Sequence, residues 1–301
     1  MVRLIIVILL LVLMLPLTIT VPSLASEQSQ WVQYSHAASR MYDKKNYQRA
    51  AELYETAAQC AQDEHRRPDE IANTLLNLAD CQIEISSFRA AWANIVRARS
   101  IIESQHLIDD PIALRLLRRE TYYYQRRGSS TQAVACQKNV VEKVRTIFGD
   151  STALISEYIT LQYMQAAFRQ PKEAAQTGLV ALALMKKVKF DPYCDKWLWV
   201  LNRTGESMLT IGDTNQGISM YIDSVRMAVP CKSVVHGGFA LGRLVDIAAN
   251  EHDAKSQAKL VAELLPLSDK LCAIDRQNEQ LQKMSQRLKD MQAAPGTAPV
   301  P

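Results

Sequence analysis

Only 10 Gly and 11 Pro occur among 301 residues, which excludes collagen-like and Pro/Gly-rich disordered chains and leaves long, unbroken helices open. No Gly-rich phosphate loop is present, so a nucleotide cradle of that kind is excluded. The five His, at His36, His65, His106, His236 and His252, stand apart from any recognisable nucleophile motif and read as surface or inter-repeat residues. None of the six Cys forms a C-x-x-C pair, and none has a His partner at zinc spacing, so neither a metal nor another cofactor is expected. A net charge of +4, from 35 basic and 31 acidic side chains, falls far short of the concentrated basic surface of a nucleic-acid binder.

The long apolar run lies at the start. Arg3 precedes an uncharged stretch from Leu4 to Val21, and small residues follow at Ser23 and Ala25. This is a secretory signal pattern with cleavage after Ala25; the alternative is an uncleaved anchor formed by residues 4–21. Either reading places the rest of the chain outside the cytoplasm, periplasmic or extracellular, with membrane contact only through the N-terminal segment.

The segment NYQRAAELYETAAQ carries Tyr47, Ala50, Tyr54 and Ala57 on one helical face. Small residues at Ala50 and Ala57 let a second helix approach closely, and the two Tyr fill the space beside that contact. Upstream, Tyr34, Ala37, Ala38 and Met41 form a matching stripe, with Lys44, Lys45 and Asn46 as the turn. This pattern resembles half of a tetratricopeptide repeat (TPR), a helix-turn-helix module that binds proteins. Aligned on the same small position, the chain reads Ala50, Ala91, Ala133, Ala174, Gly217 and Ala254, at spacings of 41, 42, 41, 43 and 37 residues. A near-constant period marks a solenoid, in which each helical pair buries its apolar face only against its neighbours.

Breaks are expected at Ser86 and Ser87, Gly128 to Ser130, Gly149 and Asp150, Gln170 and Pro171, Gly212, and Asn250 to Asp253. Pro266 is expected to end the sixth pair, and Gly237-Gly238 reads as a break between units. Repeats of about 41 residues exceed the usual 34. With the stretch VVEKVRTIFGDSTALISEYITL, they resemble the longer repeats of kinesin light chains. The expectation is an all-α, right-handed superhelical solenoid: residues 1–25 a signal or anchor, 26–265 about six helix pairs, 266–291 a capping helix, and 292–301 a disordered Pro/Ala tail.

In TPR proteins the first helix of each pair lines the concave groove. The resemblance therefore directs attention to Arg115, Arg118, Arg119, Tyr122 and Arg126, which share one face of the third unit. Guanidinium groups grip carboxylates bidentately, so this stripe suits an acidic protein or peptide; the alternative is a solvated face balanced by Glu120. Asn77, Arg115 and Arg119 fall near places used by the carboxylate clamp of TPR co-chaperones, but Ser35 and Ser39 stand where that clamp has Lys and Asn. Farther along, Trp199, Asn202, Arg203, Phe239 and Arg243 face the same groove, an aromatic and Arg mixture typical of interface hot spots. Trp197 and Trp199 have inter-repeat packing as an alternative. Asn202-Arg203-Thr204 also matches a glycosylation sequon within a helix.

Cys194 and Cys231 are expected to flank the two helices of the fifth unit and to form a disulfide, while Cys60, Cys81, Cys136 and Cys272 lie within helices as free thiols. The functional expectation is a non-catalytic scaffold of the cell envelope that binds a protein or peptide in its groove. The alternatives are an enzyme or enzyme subunit with a site assembled across the array, and self-assembly.

Overall fold

The computed structural model describes residues 29–109, 111–191 and 195–293. Among them run thirteen α-helices and no strand: α1 Gln30–Asp43, α2 Tyr47–Asp63, α3 Pro68–Glu84, α4 Phe88–Ser104, α5 Pro111–Arg126, α6 Ser130–Phe148, α7 Thr152–Ala167, α8 Pro171–Lys187, α9 Asp195–Thr210, α10 Thr214–Cys231, α11 Val234–Ala249, α12 Ala254–Ile274 and α13 Glu279–Ala293. Each helix packs on the next, forming six antiparallel pairs and a final helix stacked on α11 and α12. The result is a right-handed, TPR-like solenoid.

Local sequence explains the ends of these elements. Ser29, Asn46, Ser151, Asp213 and Asp253 cap their helices by accepting from a backbone N–H three residues on, satisfying donors that the helix leaves open. Pro68, Pro111 and Pro171 open helices, where a missing N–H costs nothing. Most turns are closed by one device. A residue at positive φ follows the helix, and the next N–H bonds back five residues, as from Asn46 to Met41, Ser87 to Gln82, Gln170 to Gln165 and Asp213 to Met208. Only three of these left-handed positions are Gly (Gly128, Gly149 and Gly212). The others include Lys45, His65, Ser86, His106, Arg169 and Lys189, which accounts for two of the five His as turn residues.

The fourth residue of each second helix is the point of close contact. Ala50, Ala91, Ala133 and Ala174 are fully or almost fully shielded there, and Gly217 is buried. The sixth pair corrects the expected register. Ala254 is the exposed first residue of α12, and the fourth is Gln257, buried with its amide donating to the Ala248 carbonyl at 2.9 Å. The place is kept while the residue type changes, so a search for small residues slips by three positions.

Four further expectations are overturned. Pro266 lies inside α12, where Val261 and Leu264 before it and Ser268 and Leu271 after it are all buried; packing of both halves on α11 and α13 outweighs the lost backbone bond. Pro230 and Cys231 belong to the last turn of α10 rather than following it. Gly237 and Gly238 are within α11, and a Cβ on Gly237 would sit 2.6 Å from the Ala228 Cβ, so this Gly serves close approach, not a break. Tyr34 is exposed; Ala38 is the one fully shielded residue of its stripe.

Among the described residues, no helix is long and apolar enough to cross a membrane. The expected signal or anchor, including residues 4–21, lies outside them, as does most of the expected tail.

Candidate functional site

First helices of successive units approach one another along one side: α3 meets α5, α7 meets α9, α9 meets α11, and α11 meets α13. Second helices do so to a comparable degree only at α10 and α12. The array therefore curves with its first helices inward, and their free faces line the concave side.

In the N-terminal half this inner face is a ladder of charge pairs between adjacent first helices. The Arg119 Nε lies 2.8 Å from Asp80 Oδ2, and Arg126 Nη2 lies 3.3 Å from Glu84 Oε2. Tyr122 donates its hydroxyl to the other Glu84 oxygen, and Arg115 donates to Asn77. Arg118 reaches the other way, to Glu157 on α7, whose second oxygen accepts from Gln137 at 2.9 Å. Asp80 and Glu84, four apart on α3, thus face groups on α5 about one repeat later in sequence. Glu120, the expected counter-charge, does not serve the stripe. It is buried beneath it, taking two bonds from Arg99 of α4.

Asp80 is the electrostatic centre of this half. The residue is 6% exposed, and its Oδ1 is buried without a hydrogen-bond partner. Burial pushes its carboxyl up to about 6, against the lowering pull of Arg119 and Arg115, with Glu84 adding to the rise. Burial also draws the Arg115 pKa down, and the like charge of Arg119 adds to that. Tyr122 is raised by burial and by its bond to Glu84.

The C-terminal half differs. Trp199 of α9 stands beside the exposed Tyr163 of α7, ring centroids 6.4 Å apart, with the Arg203 guanidinium 5.6 Å above the Trp199 ring. Phe239 of α11 is 51% exposed and meets the buried Tyr221 edge-on. Arg243 is occupied, making bonds of 3.1 and 3.0 Å to Glu206, which also accepts from the Tyr221 hydroxyl at 2.6 Å. Arg203 and Arg169 have no carboxylate within ion-pair distance among the described residues. Both line a cavity of about 590 Å³ with Tyr163, Ala166, Pro171, Ser207 and Glu206, whose carboxylate is taken up by Arg243 and Tyr221.

Asn202 is not a surface contact. It is buried in α9 and donates to the His236 carbonyl at 3.1 Å, tying α9 to α11, so the sequon asparagine is inaccessible. Trp197 is a core residue, its indole N–H donating to the Phe190 carbonyl at 3.4 Å, whereas Trp199 lies at the core's edge and faces the groove. The structure thus brings Trp199 and Arg203 together, adds Tyr163 and Arg169, leaves Phe239 apart against Tyr221 on a cavity it shares with Arg243 and Met284, and engages Arg115, Arg118, Arg119, Tyr122, Arg126 and Arg243 internally. Tyr163 is the twelfth residue of α7 whereas Trp199 is the fifth of α9, so the repeat spacing in the sequence does not point to it.

Cys60, Cys81, Cys136 and Cys272 are free thiols. Cys194 lies outside the described residues, so the expected bridge to Cys231 falls there too. Among the described residues no group of His, Cys, Asp and Glu could hold a metal.

Neither a protein-family model nor a curated protein matches the chain. Solved structures share its fold. A putative kinesin light chain of Podosopora anserina, with nearly identical TPR-like repeats, is 15% identical, covers 68% of this chain and 98% of its own, and superposes with a TM-score of 0.58. BtubC (BKLC) from P. vanneervenii is 17% identical, with 67% and 81% coverage and a TM-score of 0.56. A signal-transduction ATPase from Pyrococcus horikoshii with a tetratricopeptide repeat sensor is 12% identical, with a TM-score of 0.57; the match covers 86% of this chain and 41% of that one.

Proposed function

We propose that the chain is a non-catalytic scaffold of the cell envelope that holds a segment of another protein against its concave face. The observation that carries the reading is the pair of Tyr163 and Trp199 rings on adjacent first helices beside Arg203, whose guanidinium, like that of Arg169, makes no ion pair among the described residues, with Phe239 exposed on the following first helix. Aromatic and Arg side chains release most energy when a partner desolvates them, and a carboxylate would complete the two free guanidinium groups. The partner is therefore a protein or peptide with an acidic residue beside an apolar one. The N-terminal signal pattern supports export, whether cleaved after Ala25 or retained as an anchor.

The test is capture of a partner from an envelope extract by residues 26–301, repeated with Trp199→Ala, Arg203→Glu and Phe239→Ala combined. Loss of the captured protein at an unchanged melting temperature supports the reading. Capture by the triple variant at wild-type yield overturns it. A small molecule that raises the melting temperature, with no protein captured, would favour the enzyme alternative.

A further inference from the structure

We infer that Asp80 is an internal competitor for the Arg115 and Arg119 guanidinium groups, so that an acidic peptide reaching the N-terminal half of the groove is bound with uptake of one proton. The inference rests on the reading that the concave face binds a peptide, and it adds a second anchor whose occupancy depends on pH.

Two guanidinium groups converge here on one carboxylate. Arg119 Nε stands 2.8 Å from Asp80 Oδ2 as an ion pair without hydrogen-bond geometry, while Arg115 turns to the neutral Asn77, and the Nε of each is buried without a hydrogen-bond partner. Asp80 Oδ1 is likewise buried and unpartnered. An unmet donor and an unmet acceptor in one cluster mark an arrangement whose bonding is incomplete in the free protein. Glu84 cannot supply the missing anion, because Tyr122 and Arg126 occupy it.

Around Asp80, from α5 come Arg115 and Arg119; from α3 itself, Glu84 and Cys81; from α1, Tyr42, whose hydroxyl burial raises to about 12; from α2, Tyr54, also raised by burial. The helix α4 packs on the other side of α3 and gives Asn94 to Gln82, with no charge acting on Asp80. The two Tyr and the thiol stay neutral below pH 8, so Asp80 is the group that changes charge between pH 5 and 8.

The sign follows from the geometry. An incoming carboxylate repels ionised Asp80 and contends with it for the same donors. Protonating Asp80 removes both penalties and frees Arg119 to swing onto the ligand. The resident carboxyl is already pushed up to about 6, so the proton is available at mildly acidic pH. Binding must then tighten as pH falls from above 7 to below 6.

The probe is N-acetyl-hexaglutamate amide, titrated calorimetrically into residues 26–301 at pH 5.5 and 7.5, low salt, in buffers of different ionisation enthalpy. The expected result is about tenfold tighter binding at pH 5.5 than at pH 7.5, with uptake approaching one proton at pH 7.5 and only a fraction of one at pH 5.5, where free Asp80 is already mostly protonated. Asp80→Asn, which keeps the side-chain shape, should bind at pH 7.5 about as tightly as the wild type does at pH 5.5, with no proton uptake. Carboxyl-carbon NMR should follow Asp80 titrating near pH 6 in the free protein and higher with the probe. Equal wild-type affinity at both pH values, or Asp80→Asn retaining the wild-type pH dependence, overturns the competitor. Absence of binding by both proteins instead overturns the reading of this half as an acidic-peptide site and takes the inference with it, while partner capture through Trp199 remains separately measured.

Discussion

The two halves of the concave face use arginine in opposite ways. On α5 the guanidinium groups of Arg118, Arg119 and Arg126 are occupied by acids on the adjacent first helices and that of Arg115 by Asn77, and the face stitches the solenoid together. From α7 to α11, Arg203 and Arg169 stay open beside exposed aromatics, and only Arg243 repeats the stitching through Glu206. The close helix contacts also differ. The N-terminal pairs meet at Ala, whereas Gly178, Gly205, Gly217 and Gly237 carry the contacts farther along. A row of like side chains in a sequence is thus no guide to availability; what sits one repeat away decides it.

The largest expected effects test the close contacts in each half. Ala50→Trp should destabilise by about 3 kcal/mol or more, since Ala50 is fully shielded and overpacking has nowhere to expand. Gly178→Ala should also destabilise, although helix propensity alone would favour Ala by about 1 kcal/mol. The new Cβ would stand 2.1 Å from Thr204 Oγ1 and 2.3 Å from Gln162 Nε2, breaking a buried 2.9 Å bond between them at a cost of about 2 to 4 kcal/mol. Thermal unfolding reads both, and a rise in melting temperature for Gly178→Ala would mean that the contact is looser than described.

Next comes the stitching itself. Replacing Arg115, Arg118 and Arg119 with Glu sets like charges against Asp80 and Glu157 and should cost about 2 kcal/mol or more, partly recovered in high salt. Trp199→Ala with Phe239→Ala should leave stability within about 1 kcal/mol while partner capture falls, because both rings are partly solvated already. Equal stability losses for the two sets would erase the distinction between the halves.

A smaller effect follows from Asp80 alone. Its folded pKa is raised from 3.8 to about 6, so the folded state holds a proton that the unfolded chain has released. The stability this contributes is fully present below about pH 4 and lost as pH rises through 6. Melting temperature should decline over that window in the wild type and decline less in Asp80→Asn, measured at constant ionic strength. Smallest is the turn at Ser86. With φ at 60°, Ser86→Gly should gain about 1 kcal/mol or less, while Gly212→Ala at φ 86° should lose a similar amount. Unchanged melting in both would show that the turns relax freely.

The helical pairs were legible because Ala50, Ala91, Ala133, Ala174 and Gly217 recur with their turns, and a solenoid repeats one packing solution. The sixth contact was missed because Gln257 keeps the place without the small side chain. The Arg stripe was legible as a face, but its partners Asp80, Glu84 and Glu157 lie 38 to 42 residues away in sequence and escape a reading of one helix at a time. Superposing the repeats at their 42-residue spacing sets Glu84 on Arg126 and Asp80 on Tyr122, three residues from Arg119.

By itself the sequence determined that this chain is a stack of antiparallel helix pairs, because helical periodicity and small-residue spacing are local and recur. Only the tertiary structure decided which charges are spent within the protein and which remain for a partner. Ion pairing depends on what the adjacent repeat presents at a few ångströms, and burial, as at Asp80, sets the charge a group carries. Neither is a property of any single stretch of chain.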